Sequence, residues 1–127
     1  MKFTDMNIDS SIIRALNENN LVTPTEIQVK SIPLMLNRKD GHIIGQAKTG
    51  SGKTLAFAVP IVENLQCHQN HVQSLILVPT RELCKQISKV FQSIAKYKKS
   101  KIVEIYGGVS INRQIQQLNN GGQIVIA

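Results

Sequence analysis

No stretch of this sequence is apolar for long enough to span a bilayer, and the opening Met1-Lys2-Phe3-Thr4-Asp5 lacks the apolar segment of a secretory signal. Those absences lead to the expectation of an intracellular protein, cytoplasmic or, in a eukaryote, nuclear. Cysteine is scarce. Cys67 and Cys84 are too few for a disulfide framework and fit no common metal spacing, so both read as reduced structural thiols. In Cys67-His68-Gln69-Asn70-His71 a closed metal site would need a fourth ligand, with only Cys84 and His42 left as soft candidates; the segment reads as a polar surface loop. There is also no internal repeat, low-complexity tract or linker. What remains, 127 residues with 42% hydrophobic and 18% charged, is the composition of one globular domain able to bury a core.

Acids are few as well: 8 Asp+Glu against 15 Lys+Arg give a net charge of +7. The excess is concentrated. Arg81, Lys85, Lys89, Lys96, Lys98, Lys99 and Lys101 are accompanied only by Glu82. Such a run attracts a polyanion and suggests nucleic acid, the alternative being a solvated helix face that keeps the protein soluble.

Along the chain, Asp9-Ser10-Ser11 is a natural N-cap cluster before a short amphipathic helix carrying Ile12, Ile13 and Leu16, which dissolves in Asn19-Asn20. A second helical piece opens at Thr25, is interrupted around Pro33 and gives way to the turn Asn37-Arg38-Lys39-Asp40-Gly41. Then strand and helix alternate. His42 to Gln46 reads as a short buried strand, Lys53 to Leu65 as a helix, and Ser74 to Val78 as a central strand stopped by Pro79. Leu83, Ile87, Val90, Phe91 and Ile94 recur at helical spacing, with Arg81, Lys85 and Lys89 along another face. Lys101 to Tyr106 is a further strand, Gly107-Gly108 a turn, Ile111 to Leu118 a helix and Ile124-Val125-Ile126 a last strand. Short connections and unbroken aliphatic strands predict an α/β fold, a parallel sheet with helices on both faces.

The chemistry concentrates at Ala47-Lys48-Thr49-Gly50-Ser51-Gly52-Lys53-Thr54, a glycine-bearing loop between an apolar stretch and an apolar helix. That context turns a short pattern into a Walker A loop. Gly50 and Gly52 let successive N–H groups turn inward toward phosphate oxygens, aided by the positive end of the following helix. Lys53 places a point charge on the terminal phosphates, and the Thr54 hydroxyl is a ligand for Mg2+. The general pattern has Gly where this chain has Ala47.

These residues can be compared with a family. Gln46 to Thr54 resembles the P-loop of DEAD-box RNA helicases, in which Ala at the first position is normal. Pro79-Thr80-Arg81-Glu82-Leu83 is similar to their motif Ia, Tyr106-Gly107-Gly108 to their glycine doublet, and Pro24-Thr25-Glu26-Ile27-Gln28 to their Q motif, with Phe3 at the spacing of the isolated upstream aromatic. The resemblance implies a RecA-like domain that binds ATP and Mg2+. Gln28 would read the adenine edge with Phe3 packed near the base, Ala47, Lys48, Thr49, Gly50, Ser51 and Gly52 would cradle the phosphates, and Lys53 and Thr54 would hold triphosphate and metal. Pro79, Thr80, Arg81, Gly107 and Gly108 would lie on the sugar-phosphate backbone of one RNA strand, without base readout. One position departs from the pattern: Asn20-Leu21 replaces the usual Gly-aromatic pair, and Leu21 can cover an adenine face but not stack on it.

Two residues have structural alternatives. Thr25-Glu26-Ile27-Gln28 is also a capping box, and Arg81 could pair with Glu82 or the helix surface. None of the eight acids, Asp5, Asp9, Glu18, Glu26, Asp40, Glu63, Glu82 and Glu104, follows an apolar strand where a P-loop NTPase keeps its Mg2+-organising acid. The family would continue past Ala127 into motif Ib and the Asp-Glu-Ala-Asp strand. The expectation is therefore a truncated RecA-like domain, inactive in hydrolysis by itself. It comprises a helical Q-motif region at 1–36 and a P-loop α/β core at 37–127 lacking its C-terminal strands. Alternatives are another nucleic-acid-dependent P-loop ATPase, such as a DNA helicase, and a non-catalytic nucleotide- or RNA-binding module.

Overall fold

A computed structural model describes residues 1–38 and 40–127. Three of the aliphatic runs become strands: β1 (Ser74–Ile76), β2 (Ile102–Glu104) and β3 (Ile124–Ile126). All pair in parallel in the order β1-β3-β2, with Leu75 and Val103 flanking Val125 in register. β3 is hydrogen-bonded on both sides and buried on both faces, which is why it reads as an unbroken apolar run. The sheet order requires two crossovers. One runs from β1 through Arg81–Ile94 to β2; the other returns through Ile111–Asn119 into the central position.

Among the described residues, five α-helices surround the strands: α1 (Ser10–Glu18), α2 (Glu26–Asn37), α3 (Lys53–Glu63), α4 (Arg81–Ile94) and α5 (Ile111–Asn119), after a 3₁₀ turn at Phe3–Met6. Ile124 and Ile126 join Ile87, Phe91 and Ile94 of α4 and Val59 and Val62 of α3 in one buried cluster. The opposite face carries Val103 and Val125. There α5 comes so close that a Cβ on Gly122 would stand 2.8 Å from Val103 Cγ2 and 3.5 Å from the Gln117 carbonyl. Helices thus cover both faces, as expected of a parallel α/β unit.

Two expectations need correction. α2 does not break at Pro33 but runs through it to Asn37. The proline removes one ladder bond, but the helix is capped at its start and packed along α3, so the tertiary contact outweighs the local penalty. The stretch 42–46 is not a strand. Among the described residues no main-chain bond reaches it, and Ile44 is 97% exposed. Apolar character alone does not make a strand, because extended N–H and C=O groups need a neighbouring ladder, and β1, the nearest edge in sequence, pairs only with β3. Leu75 on that edge strand is likewise 61% exposed.

The basic run is also put to structural use. Lys98 Nζ donates to the carbonyls of Val62 (2.9 Å) and Glu63 (3.3 Å), capping the C-terminus of α3, and Lys101 Nζ does the same for α5 through Asn120 (2.5 Å). Lys96 pairs with Glu18 at 3.2 Å, tying α4 to α1. The Tyr97 hydroxyl also donates to Glu18 and, ahead of Lys96, holds its carboxyl below the usual range. Among the described residues no helix is long and apolar enough to cross a membrane.

Candidate phosphate and polyanion site

The glycine-bearing loop takes the conformation its sequence demands. Gly50 has φ +81° and Gly52 φ +87°, and Ser51 N–H closes a turn on the Lys48 carbonyl at 3.2 Å. Gly52 is the N-cap of α3 and carries no capping side chain, so the free N–H groups of the first helical turn lie beside the loop. The Lys53 ammonium folds back to donate to the Ala47 carbonyl, which holds its charge over the loop. Lys48, Thr49 and Gly50 are exposed, and Thr54 is half-buried. The Ser51 hydroxyl is buried without a hydrogen-bond partner among the described residues. An orphaned hydroxyl beside the free N–H groups of a helix N-terminus and a tethered ammonium is the donor set of an anion cradle, and it fits phosphate oxygens.

Gln28 is joined to this loop. Its side chain is 2% exposed; Oε1 accepts from Thr25 N–H at 2.9 Å, completing the capping box of α2, and Nε2 donates to the Gly52 carbonyl at 3.0 Å. A Cβ on Gly52 would stand 2.3 Å from Gln28 Nε2 and 2.9 Å from Thr25 Oγ1, so glycine is required by space as well as by φ. Sequence reasoning offered capping and base recognition as alternatives. The capping role is occupied, and the amide retains one further N–H and one further lone pair. Phe3 lies in the core, 3% exposed.

The departure at Asn20 has a physical explanation. Leu21 N–H bonds the Leu16 carbonyl (2.9 Å) and Asn20 N–H that of Asn17 (3.0 Å), a left-handed termination of α1 with Asn20 at φ +59°. Glycine is the usual residue at such a turn, and asparagine is the side-chain-bearing residue that tolerates it best. Leu21 packs half-buried against the core.

An open cavity of about 740 Å³ lies beside Lys53 and Thr54, walled by Ile27 and Met35 of α2, residues 40–43 and Gly45, Phe57, and Leu83 and Ile87 of α4. Its lining is mainly apolar; it shares Lys53 and Thr54 with the loop and does not include Lys48, Thr49, Gly50, Ser51 or Gln28. It lies against the unpaired stretch 42–46.

The second group of candidates meets at the C-terminal ends of β1 and β2, the side of a parallel sheet where ligands bind. Pro79 precedes Thr80, whose hydroxyl caps α4 by accepting from Leu83 N–H at 3.1 Å. Arg81, exposed at the start of α4, reaches across to donate to the Gly107 carbonyl, so the loops after β1 and β2 are bound together. Its partner is neither Glu82 nor its own helix. Gly108 has φ +83°, and a Cβ there would displace the Arg81 guanidinium. Lys85 and Lys89 continue the exposed stripe of α4, while Cys84, Ile87, Ser88 and Phe91 are buried. The Cys84 thiol donates to the Ile126 carbonyl at 3.2 Å, and burial pushes its pKa up, as befits a structural thiol. Of the seven basic residues from Arg81 to Lys101, therefore, Lys96, Lys98 and Lys101 hold the fold together, Arg81, Lys85 and Lys89 remain on one open face, and Lys99 is exposed beyond the end of α4. Sequence reasoning did not separate these groups, because a lysine at a helix C-terminus looks like any other until its carbonyl partner is known.

The profile of the DEAD/DEAH box helicase family matches residues 25–127. The DEAD-box ATP-dependent RNA helicase CshA of Bacillus subtilis is 40% identical over 98% of this chain, which covers 25% of that protein. The crystal structure of a DEAD box protein from the hyperthermophile Methanococcus jannaschii superposes with a TM-score of 0.93 at 40% identity, over 98% of this chain and 34% of that one. Prp28 from Chaetomium thermophilum, an RNA helicase crystallised with ADP, gives a TM-score of 0.86 at 34% identity, over 98% and 31%. The chain thus spans about a quarter to a third of the length of these relatives.

Proposed function

Since the chain belongs to the DEAD/DEAH box helicase family, we propose that it supplies the nucleotide cradle and the first RNA contacts of an ATP-dependent RNA helicase that remodels short duplexes. The observation that carries this reading is the loop itself: two left-handed glycines, an orphaned Ser51 hydroxyl and a folded-back Lys53 at the open N-terminus of α3. In this proposal residues 47–52 surround the phosphates of ATP with N–H groups, Lys53 neutralises the terminal phosphate charge, and the Thr54 hydroxyl ligates Mg2+. The metal, when bound, offsets the charge that develops on the transferred phosphoryl group. Gln28 applies its remaining amide valences to the adenine edge while its existing bond to Gly52 ties base recognition to the loop. Phe3 supports that corner from the core.

Pro79, Thr80, Arg81, Gly107 and Gly108 present donors and bare backbone to the sugar-phosphate chain of RNA, with Lys85 and Lys89 adding sequence-independent attraction. Two of the relatives, CshA and Prp28, are RNA helicases, and the second of them was crystallised with ADP, which agrees with both halves of this assignment. The division into a helical Q-motif region at 1–36 and a P-loop core at 37–127 belongs to the same proposal. Titrating ATP·Mg2+ against the full-length protein and its Lys53→Ala variant tests it. The variant is expected to bind at least about tenfold more weakly, since the backbone cannot replace a charge-assisted contact; equal affinity would refute the assignment.

A further inference from the structure

Tyr106 received no role of its own from the sequence, yet it is held from three sides. Its hydroxyl donates to Glu104 Oε2 at 3.2 Å, its carbonyl accepts from the buried Gln114 amide at 3.2 Å, and its ring lies beneath two cations of α4. Arg81 Cζ stands 4.7 Å from the ring centroid and Lys85 Nζ 6.0 Å, both within the range in which a cation is attracted to an aromatic face. The Arg81 guanidinium is therefore fixed twice, by the Gly107 carbonyl and by the ring it lies over. That consumes one of its five N–H donors and leaves the others without a protein partner among the described residues. A flexible arginine must otherwise lose its side-chain freedom when it meets a ligand. Burial and the Glu104 hydrogen bond raise the phenol pKa, so the ring stays neutral beside its cations.

We propose that Tyr106 is a positioning residue for RNA: its ring pre-orders Arg81, and to a lesser degree Lys85, as a paired donor set for the phosphates of a bound strand. The proposal rests on the RNA-binding reading above, and extends it to a residue that itself touches only the protein. An aromatic directly before Gly-Gly has a use here that the glycines do not explain. The glycines leave space for the backbone and the guanidinium, whereas the ring sets where the guanidinium sits. Lysine at position 81 would keep the charge but could neither lie flat on the ring nor offer a planar fork.

The test is single-stranded RNA binding by the full-length protein across a range of salt, comparing the parent with Y106L, Y106F, R81A, R81K and the Y106L/R81A double variant. Y106L is expected to weaken binding about two- to fivefold, as loss of an exposed cation–aromatic contact implies. Y106F, which keeps the ring, should bind like the parent. R81K should lose about as much as Y106L despite its unchanged charge, and Y106L should add little once Arg81 is alanine. A purely structural role would instead make the two losses additive and would leave R81K like the parent. Parent-like binding by Y106L or by R81K, with R81A weakened, overturns the positioning role alone. Parent-like binding by R81A overturns the RNA reading of this face and the proposal with it. Because R81K leaves Tyr106 in place, the comparison survives even if Y106L does not fold.

Discussion

Replacing Gln28 by alanine separates its two structural bonds from its proposed contact with the base. The side chain is 2% exposed, and its amide bonds Thr25 N–H and the Gly52 carbonyl. Thr25 is exposed, so its N–H regains water and the loss there is that of a helix cap, about 0.5–1 kcal/mol. The Gly52 carbonyl is half-buried and loses a hydrogen bond worth about 1 kcal/mol. The removed methylene and amide leave a cavity between α2 and the loop, adding roughly another 1 kcal/mol. The sum is about 2.5–3 kcal/mol, which at a urea m-value of about 1.5–2 kcal/mol/M lowers the unfolding midpoint by about 1–2 M. Gln28→Glu keeps the acceptor for Thr25 but sets a buried carboxylate oxygen against the Gly52 carbonyl, so it should destabilise at least as much as alanine. A Gln28→Ala midpoint equal to that of the parent would refute this energetic reasoning. Binding of ATP and GTP by the same variant in the full-length protein then isolates recognition. Its preference for ATP is expected to drop, because a site that hydrogen-bonds a base loses discrimination when the partner is deleted. An unchanged ATP/GTP ratio alongside the stability loss would confine Gln28 to its structural bonds.

The lysines divide in a second experiment. Lys98→Ala should destabilise the fold by about 1 kcal/mol through the lost C-terminal cap of α3 while leaving the salt dependence of RNA binding unchanged. Lys85→Ala with Lys89→Ala should do the reverse, weakening binding to all sequences alike and reducing the salt slope by about one to two phosphate contacts. Thermal unfolding and RNA titration of the same variants check both; a salt slope unaffected by the double replacement would leave that stripe to solvent. Asp9 supplies a pH dependence. Its carboxylate accepts from the Ser11 hydroxyl and N–H, which lowers its pKa below the unfolded value. Its contribution is therefore complete above the ordinary carboxylate range and is lost as pH falls through the depressed folded value. Unfolding measured from neutral pH downward should show Asp9→Asn losing less stability than the parent under acid; parallel curves would contradict this.

Much of the fold was legible because its signals are local. Asp9 and Thr25 each stand at the head of a helix as cap residues, and Gly50 and Gly52 announced the turns in which they are found. What failed was non-local. Whether 42–46 is a strand depends on a neighbour, and no property of His42-Ile43-Ile44-Gly45-Gln46 reports that its main chain is unpaired here. Pro33 suggested a break that the packing of α2 on α3 overrides. The candidate site divides in the same way. The phosphate loop is contiguous in sequence, so spacing sufficed. The link from Gln28 to Gly52 joins residues 24 apart, and that from Arg81 to Gly107 residues 26 apart; motif resemblance pointed to these residues without indicating that they bond to one another. The basic run was half understood, because charge is visible in a sequence and the carbonyl that occupies it is not.

The central claim is that one parallel α/β unit couples a phosphate cradle to an RNA-binding face. It is tested most directly by phosphate release from ATP by the full-length protein, measured with and without single-stranded RNA, for the parent, Lys53→Ala and Arg81→Ala. Hydrolysis is expected to be stimulated by RNA in the parent, to be lost almost entirely in Lys53→Ala, and to need a higher RNA concentration for half-stimulation in Arg81→Ala. Hydrolysis by the parent that is indifferent to RNA, or that persists without Lys53, would contradict it.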